Sequence, residues 1–179
     1  MISGPSGAGK GSIATGLRKR VEKLWLSRSW TTRPPRRGEG PEAYTFVDRA
    51  TFEAKAAAGG FLEWKAHFDH LYGTPLPDPP PEHDVLLEID VYGAADVKRQ
   101  RADAVLILVL PPSRAEQERR LRARGDAAAT IASRLARADE EERVGREIAD
   151  HIVVNDDLGR ATTEVVGIVE AHRSPSPEL

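Results

Sequence analysis

The fold of this chain is decided by a glycine-rich stretch near its amino terminus, Gly4-Pro5-Ser6-Gly7-Ala8-Gly9-Lys10-Gly11-Ser12. It fits the phosphate-binding pattern of a glycine, four residues and Gly-Lys, with a glycine where serine or threonine usually follows the lysine. Glycines let several backbone N–H groups point into one concavity, and a helix that begins directly behind the loop turns its positive end toward the phosphates. Lys10 adds a mobile positive charge. The pattern predicts a nucleotide-binding loop, although an unrelated glycine-rich turn can show the same spacing.

Gly11 removes the hydroxyl that binds Mg²⁺ in many loops of this kind, and the nearest hydroxyl is that of Ser12. Because Mg²⁺ gives up its waters reluctantly, we expect the ion to be held mainly by nucleotide phosphates and waters. The Gly-Lys-Gly-Ser form is similar to that of small nucleoside-monophosphate kinases and argues against a GTPase switch.

The composition indicates a single soluble domain. The chain has 179 residues, 40% hydrophobic and 30% charged, enough to bury a sizeable core. A formal net charge of -2 gives no general attraction to nucleic acids or acidic membranes. The chain has no cysteine, which excludes disulfides and thiolate metal sites. No apolar run is long enough to span a bilayer and no signal peptide is indicated, so we expect a cytoplasmic protein.

The residues that flank the loop predict a strand and a helix. Only Met1-Ile2-Ser3 precedes the loop, whereas strands usually run to about five or six residues, so we expect that part of this strand is missing upstream. A helix is predicted from Ser12, because apolar residues recur at helical spacing on one face. These residues are Ile13, Leu17, Val21 and Leu24.

Two continuous apolar runs, Val85–Asp90 and Ala104–Leu110, are typical of buried parallel strands. Ligands bind beyond the carboxyl ends of such strands, which puts Glu88 and Asp90 at a nucleotide crevice. The other predicted elements are a short strand Tyr44–Val47, a helix Arg49–Ala58 with Phe52 inward, a tight turn Tyr72–Pro75, helices from Arg114 and over Ala127–Arg146, a strand His151–Asn155 and a closing helix Ala161–His172.

Two further stretches suggest ligand contacts. Between Leu26 and Glu39, prolines fix the backbone around several arginines, a combination that suits an anion clamp and also occurs in plain surface loops. In Phe61–Trp64 one acid, Glu63, stands in an apolar setting, where it needs donors. A ligand with paired N–H groups would satisfy it, and an edge-strand glutamate that faces water is the alternative.

Taken together, the motifs resemble the guanylate kinase family over nearly the whole chain. The matching pieces are the phosphate loop, Ser29 to Glu39, Phe61-Leu-Glu63-Trp, Tyr72-Gly-Thr74-Pro, Leu87 to Gly93, Pro111-Pro112-Ser113, Arg120-Leu-Arg-Ala-Arg124-Gly, Arg134-Leu and Val154 to Leu158. The family transfers the terminal phosphoryl group of ATP to GMP. The resemblance implies an α/β fold with a P-loop NTPase-type core, whose parallel sheet is flanked by helices, together with a small α+β insertion that binds GMP and a helical lid.

The resemblance also implies a single domain over 1–172 and roles for individual residues. The core would comprise 1–30, 84–120 and 148–172, the insertion 31–83 and the lid 121–147, with 173–179 a disordered tail. ATP would be bound by Gly4 to Ser12 and Asn155. The GMP phosphate would contact Arg33, Arg36, Tyr44 and Tyr72. Guanine would be read by Ser29, Glu63 and Thr74, with Glu88 and Asp90 near GMP and the magnesium waters. The catalytic set would be Lys10, Arg33, Arg120, Arg124 and Arg134.

Two departures from the family pattern are visible. The spacing between Glu39 and Tyr44 is about one residue shorter than the family pattern, which leaves the register of Tyr44 open. The proline-rich segment 75–83 forbids the helix expected there, so we expect an extended segment and weaker GMP affinity.

Two other functions remain open at this stage, a non-catalytic interaction module of the same family and a kinase with an acceptor other than GMP. His67, Asp69, His70 and His83 are expected to be solvated loop side chains rather than metal ligands. The expected partners are therefore ATP and GMP, without nucleic acid or membrane, for a monomer or homodimer.

Overall fold

A computed structural model describes residues 1–35, 39–67 and 69–173 of the chain. These residues form an α/β fold. In chain order its elements are β1 (Ile2–Ser3), α1 (Lys10–Arg20), β2 (Leu24–Ser27), β3 (Trp30–Thr31), β4 (Thr45–Phe46), α2 (Arg49–Ala57), β5 (Phe61–His67), β6 (His70–Pro75), β7 (Asp84–Leu87), α3 (Val91–Gln100), β8 (Ile107–Leu110), α4 (Arg114–Ala123), α5 (Ala128–Ile148), β9 (His151–Val154) and α6 (Leu158–His172).

A parallel sheet forms the centre of the molecule. β1 pairs with β8, β8 with β9, and β2 with β7, each time in parallel. A parallel bridge between Ile2 and Glu88 joins the two groups, and the amide of Ile89 donates to the carbonyl of Ile2 at 3.2 Å. The strand order is therefore β2-β7-β1-β8-β9, and the carboxyl ends share one edge, where ligands of such sheets bind.

Helices cover both faces of this sheet, as the alternation of side chains along β8 shows. Ile107 and Val109 lie in the cluster formed with α1 and α6. Leu108 points to the opposite face, where Val144 and Ile148 of α5 pack against it. Because successive side chains of a strand point to opposite faces, a run that is apolar throughout requires a cover on both. The prediction of a buried parallel strand here is confirmed.

The chain between β2 and β7 builds a second sheet of order β4-β3-β6-β5. In it β6 runs antiparallel to both β3 and β5. Asp48 caps the helix α2, because its side chain accepts a hydrogen bond from the amide of Thr51 at 2.7 Å. Phe52 of this helix is fully buried and stacks on Phe61, with ring centres 4.6 Å apart. Its inward orientation was predicted correctly.

Several predicted element boundaries were wrong. The helix after the loop begins at Lys10 and ends at Arg20, so Leu24 does not belong to it. Lys23 adopts a positive φ of 52°, which turns the chain into a strand, β2, that the sequence analysis missed. The stretch Tyr72–Pro75 is part of the strand β6 rather than a tight turn. Ala104 precedes β8, which begins only at Ile107.

The proline-rich segment after β6 contains no helix, as predicted. The helix α3 was not predicted at all, because its sequence begins with the β-branched Val91 and includes Gly93. Within the described ranges, no helix is both long and apolar enough to cross a membrane. The predicted disordered tail, apart from Arg173, and Arg36 lie outside the described residues.

Candidate active site

The glycine-rich loop connects β1 to α1 at the carboxyl edge of the sheet, in a conformation that needs its glycines. Gly4, Gly7 and Gly9 have φ values of 140°, 85° and 96°, a region that other residues avoid. A Cβ at Gly4 would overlap the carbonyl oxygen of Val109, and one at Gly9 would overlap the side-chain Nδ2 of Asn155. The loop therefore packs directly against Val109 and Asn155 of the same chain, and α1 begins immediately after it.

Lys10 lies on the first turn of α1 and folds back over the loop. Its Nζ donates to the carbonyl oxygens of Gly4 at 2.7 Å and Pro5 at 3.3 Å. Burial lowers the pKa of Lys10, and the nearby carboxylate of Glu88 opposes this effect. The arrangement holds an ammonium group over a ring of backbone dipoles, where an anionic ligand would relieve its desolvation.

Three side chains that are distant in sequence donate hydrogen bonds to backbone carbonyls of the loop. The Nε2 of Gln117 donates to the carbonyl of Ser6 at 2.7 Å, and the Nδ2 of Asn155 donates to that of Ala8 at 2.8 Å. Arg120 donates from Nη2 to the backbone oxygen of Asn155 at 2.8 Å. Sequence reasoning missed Gln117, although a glutamine at a fully buried position of a charged helix was the available signal. Within the part of the chain that the structure describes, the buried Oδ1 of Asn155 has no hydrogen-bond partner.

Two acids end the strand β7 beside the loop. Glu88 faces Gly11, since a Cβ on that glycine would lie 3.4 Å from Oε1. Burial raises the pKa of Glu88, while Lys10 lowers it. Asp90 caps α3, because its Oδ1 accepts hydrogen bonds from the amides of Tyr92 and Gly93, both at 3.0 Å. Both acids therefore lie at the carboxyl edge of the sheet, near the phosphate loop and the start of α3.

The second group of predicted residues lies on the insertion between β2 and β7. Arg33 is only 8% exposed and forms a two-point ion pair with Glu39, at 2.8 Å and 2.9 Å. Its guanidinium carbon lies 5.4 Å from the ring centre of Tyr44, and it interacts with the hydroxyl of Tyr72. The Nε of Arg33 is buried and has no hydrogen-bond partner among the described residues.

Tyr44 and Tyr72 face each other edge-on, with ring centres 6.2 Å apart. Burial raises the pKa of Tyr44 to about 12, and the negative charge of Glu88 adds to this. Tyr44 is therefore a neutral hydrogen-bond donor at any ordinary pH. The shorter spacing before it leaves it beside Arg33 and Tyr72, the residues with which it was grouped from the sequence.

Glu63 on β5 pairs across the sheet with Thr74 on β6. The hydroxyl of Thr74 donates to its Oε1 at 2.6 Å. Burial raises the pKa of Glu63, whereas Thr74 and the charge of Lys65 lower it. The carboxylate also touches the start of α3, because a Cβ on Gly93 would lie 3.0 Å from its Oε2. Ser29 lies between β2 and β3, half-buried, and its carbonyl accepts from the amide of Thr45 at 2.9 Å.

The predicted arginines of the last third divide into two places. Arg124 and Arg134 meet on one carboxylate, since both donate to Oδ2 of Asp126, at 2.5 Å and 2.7 Å. Arg120 instead contacts the phosphate loop and Glu116. Glu141 of α5 was not singled out from the sequence. It is a half-buried acid whose pKa is raised by burial and lowered by Lys10.

Comparison with known proteins gives one consistent result. The family model described as "Guanylate kinase" matches residues 1–172. A guanylate kinase of Synechococcus sp. (strain CC9902) is 46% identical over 172 residues, covering 92% of this chain and 91% of the relative. One from Thermus thermophilus is 45% identical over 187 residues, covering 100% of this chain and 83% of the relative.

A solved structure gives the same result. The crystal structure of guanylate kinase from Anaplasma phagocytophilum superposes with a TM-score of 0.79 at 29% identity, covering 98% of this chain and 85% of that one. Because the family model spans residues 1–172 and these relatives are 45% to 46% identical over nearly the whole chain, this chain belongs to the guanylate kinase family.

Proposed function

We propose that the chain transfers the terminal phosphoryl group of ATP directly to the phosphate of GMP, giving ADP and GDP. One observation chiefly supports this proposal. The acids that follow β7 contact both halves of the site. Glu88 lies against Gly11 of the phosphate loop, and Asp90 accepts a hydrogen bond from Lys65 of the insertion. The phosphate loop and the insertion therefore face one cleft, in which donor and acceptor phosphates can meet in line.

ATP is assigned to the loop side of the cleft. The backbone N–H groups from Gly4 to Ser12 and the positive end of α1 would hold its phosphates, and Lys10 would contact the outer ones. Asn155 would approach the adenine, and its unpartnered Oδ1 is the atom available for such a contact. Arg120, Arg124 and Arg134 would neutralise charge that develops during transfer.

GMP is assigned to the insertion. Arg33, Arg36, Tyr44 and Tyr72 would bind its phosphate, and arginine forks suit phosphate oxygens. Ser29, Glu63 and Thr74 would read the base. Guanine presents N1–H and N2–H₂ as a donor pair that one carboxylate accepts, whereas adenine has no such pair, so Glu63 would select guanine.

Mg²⁺ would accompany ATP. Gly11 provides no hydroxyl ligand, and the described residues contain no cluster of three or more His, Cys, Asp or Glu able to form an all-protein metal site. Mg²⁺ usually keeps several waters and binds one or two carboxylates together with substrate phosphates. Glu88 and Asp90 would supply such carboxylates at the crevice. Asp90 would hold the ion through such a water, and the ion would neutralise phosphate charge.

Residues 1–172 are proposed to work as one domain in the cytoplasm. A chain without cysteine is compatible with this reducing compartment, where disulfides are rare. The core of this domain would be 1–30, 84–120 and 148–172. The insertion 31–83 and the lid 121–147 would close on the substrates and exclude water, which protects ATP from hydrolysis.

A coupled assay that detects ADP tests the proposal. We expect turnover with ATP and GMP together and little with ATP alone or with AMP or CMP as acceptor. Thermal shifts should likewise be larger with GMP than with AMP or CMP. A folded sample that shows no turnover with ATP and GMP at any enzyme concentration would contradict the proposed activity, and equal shifts with all three monophosphates would contradict guanine selection.

A further inference from the structure

Lys65 lies in the cleft of the insertion, yet none of the roles assigned above uses it. It stands two residues after Glu63 on β5, so the two side chains leave the same face of the strand. Across the sheet, Glu63 pairs with Thr74 and Lys65 pairs with Tyr72. Lys65 is therefore placed between the acid assigned to guanine and the tyrosine assigned to the phosphate.

The ammonium group of Lys65 connects the insertion to the core. Its Nζ donates to Oδ1 of Asp90, the same oxygen that receives the amides of Tyr92 and Gly93. It also lies 5.4 Å from the ring centre of Tyr92. Since the lysine side chain is only 26% exposed, this ion pair is partly shielded from solvent and from salt. The contact ties β5 to the amino-terminal end of α3, beside the carboxylate of Glu63.

The charges around this ammonium are mostly negative. Glu63, Asp90 and the acid Glu141 of α5 all interact with one another or with Lys65 across the cleft. The groups that face Glu63 are Lys65 on its own strand, Thr74 on β6, and Asp90 and Asp96 from α3. Lys65 brings a positive charge to this set, while the two aspartates bring negative charge that favours protonation of Glu63. A protonated Glu63 would no longer accept both guanine donors.

We propose that Lys65 is a positioning residue of the GMP site, which holds Asp90 at the start of α3 and keeps Glu63 in the charged form that accepts the guanine donor pair. This inference rests on the proposed GMP kinase activity. It assigns Lys65 an effect on GMP affinity and on its pH dependence. A lysine that only stabilises the fold would not shift the pH dependence of GMP use.

The test compares Lys65→Met and Lys65→Gln, which remove the charge, with Lys65→Arg, which keeps it. Lys55→Met is the matched control, because Lys55 lies in the same insertion with its ammonium over the ring of Trp30, at 4.8 Å from the centre. For the uncharged variants we expect KM for GMP to rise about three- to tenfold on the acid side of the profile. The acid limb of kcat/KM for GMP should move up by roughly 0.5 to 1 pH unit. Lys65→Arg should restore most of the wild-type profile.

The outcomes separate this inference from the proposed function. Wild-type protein without turnover on ATP and GMP would remove the function itself. Active wild type with unshifted limbs in both uncharged variants would overturn the role of Lys65 alone, and so would an arginine variant as impaired as the methionine one. Should one uncharged variant fail to fold, the other is read by the same criteria. GMP affinities from calorimetry across the same pH range give a second readout, in which an unshifted uncharged variant again overturns the proposal.

Discussion

Arg33 and Glu39 face each other fork to fork. Nη1 of the arginine donates to Oε2 of the glutamate at 2.8 Å, and Nη2 donates to Oε1 at 2.9 Å. Nη1 also donates to the carbonyl of Pro34 at 2.7 Å. A phosphate group presents two oxygens to an arginine in the same planar arrangement. Glu39 therefore accepts hydrogen bonds from the same two nitrogens of Arg33 that we assign to the phosphate of GMP.

The first prediction concerns the loss of this ion pair. In Glu39→Ala the buried charge of Arg33 loses its counterion. Such a loss costs several kcal/mol where both partners are fully buried, and about 1 to 3 kcal/mol here, because the side chain of Glu39 is 16% exposed. The melting temperature should fall by roughly 3 to 8 °C. Because the GMP phosphate can replace the missing carboxylate, saturating GMP should recover most of the loss.

Thermal melts with and without GMP check this, with Glu53→Ala as control. Glu53 pairs with Arg49 at 3.1 Å on the exposed face of α2, where an ion pair contributes little. A deficit of the Glu39 variant that is the same with and without GMP would show that the phosphate does not reach Arg33.

The second prediction is a pH dependence that originates in Glu63. Burial raises the pKa of this carboxyl above its ordinary value, and only the ionised form accepts both guanine donors. GMP binding should therefore be complete above the raised pKa and decline as the pH falls through it, at a higher pH than for an ordinary glutamate. In Glu63→Gln the part of this decline that comes from Glu63 should vanish, and the neutral-pH affinity for GMP should drop about 100-fold.

Calorimetric titration of GMP between pH 5 and pH 8 measures both effects. The phosphate of GMP itself titrates with a pKa of about 6, and the glutamine variant reports that contribution alone. Identical pH profiles for wild type and variant would assign the whole dependence to the phosphate and remove Glu63 from base recognition.

Features that a local pattern determines were predictable from the sequence. The phosphate loop depends on glycines close together in the chain. The continuous apolar run of β8 predicts a strand that is buried on both faces, as the structure shows. Glu63 was singled out because it is an acid among apolar neighbours, and the structure pairs it with Thr74 from the next strand.

Features that depend on distant partners were not predictable. Leu24 follows Leu17 at helical spacing, but it lies in β2, and its pairing with Asp84 of β7 depends on residues sixty positions away. Gly73 looks like a turn residue, yet it lies inside β6, where it pairs with Trp30 and Trp64. A glycine suits this position because a Cβ there would come within 2.9 Å of the Cβ of Trp64. No local sequence pattern predicts the strand pairing of Leu24 or of Gly73.

The third prediction concerns the acid that gathers two arginines. Asp126 is buried, and its Oδ2 accepts from Arg124 at 2.5 Å and from Arg134 at 2.7 Å. Asp126→Asn removes the charge that holds the two guanidinium groups together. Since these arginines are assigned to the developing charge rather than to the ground state, kcat should fall about tenfold while KM for GMP changes little.

Steady-state kinetics of this variant and of Asp139→Asn provide the comparison. Asp139 pairs with Arg114 on the exposed side of α5, and its side chain is 87% exposed, so its loss should leave kcat unchanged. A rise in KM for GMP with unchanged kcat in the Asp126 variant would place the arginine pair on the acceptor rather than on the transferred group.

The fourth prediction separates the two halves of the cleft. Lys10 contacts the loop carbonyls of Gly4 and Pro5 and lies on the side assigned to ATP, whereas Arg33 and Glu63 belong to the insertion. Lys10→Ala should therefore abolish phosphoryl transfer but leave the dissociation constant of GMP within about twofold of wild type. Lys19→Ala, on the exposed face of the same helix, should keep both phosphoryl transfer and GMP binding and so controls for a change of charge on α1.

Transfer is followed by the coupled assay and GMP binding by calorimetry without ATP. Loss of GMP binding together with transfer would mean that Lys10 serves both nucleotides, because an ammonium that touches only the donor phosphates has no means of weakening an acceptor held by a separate sheet.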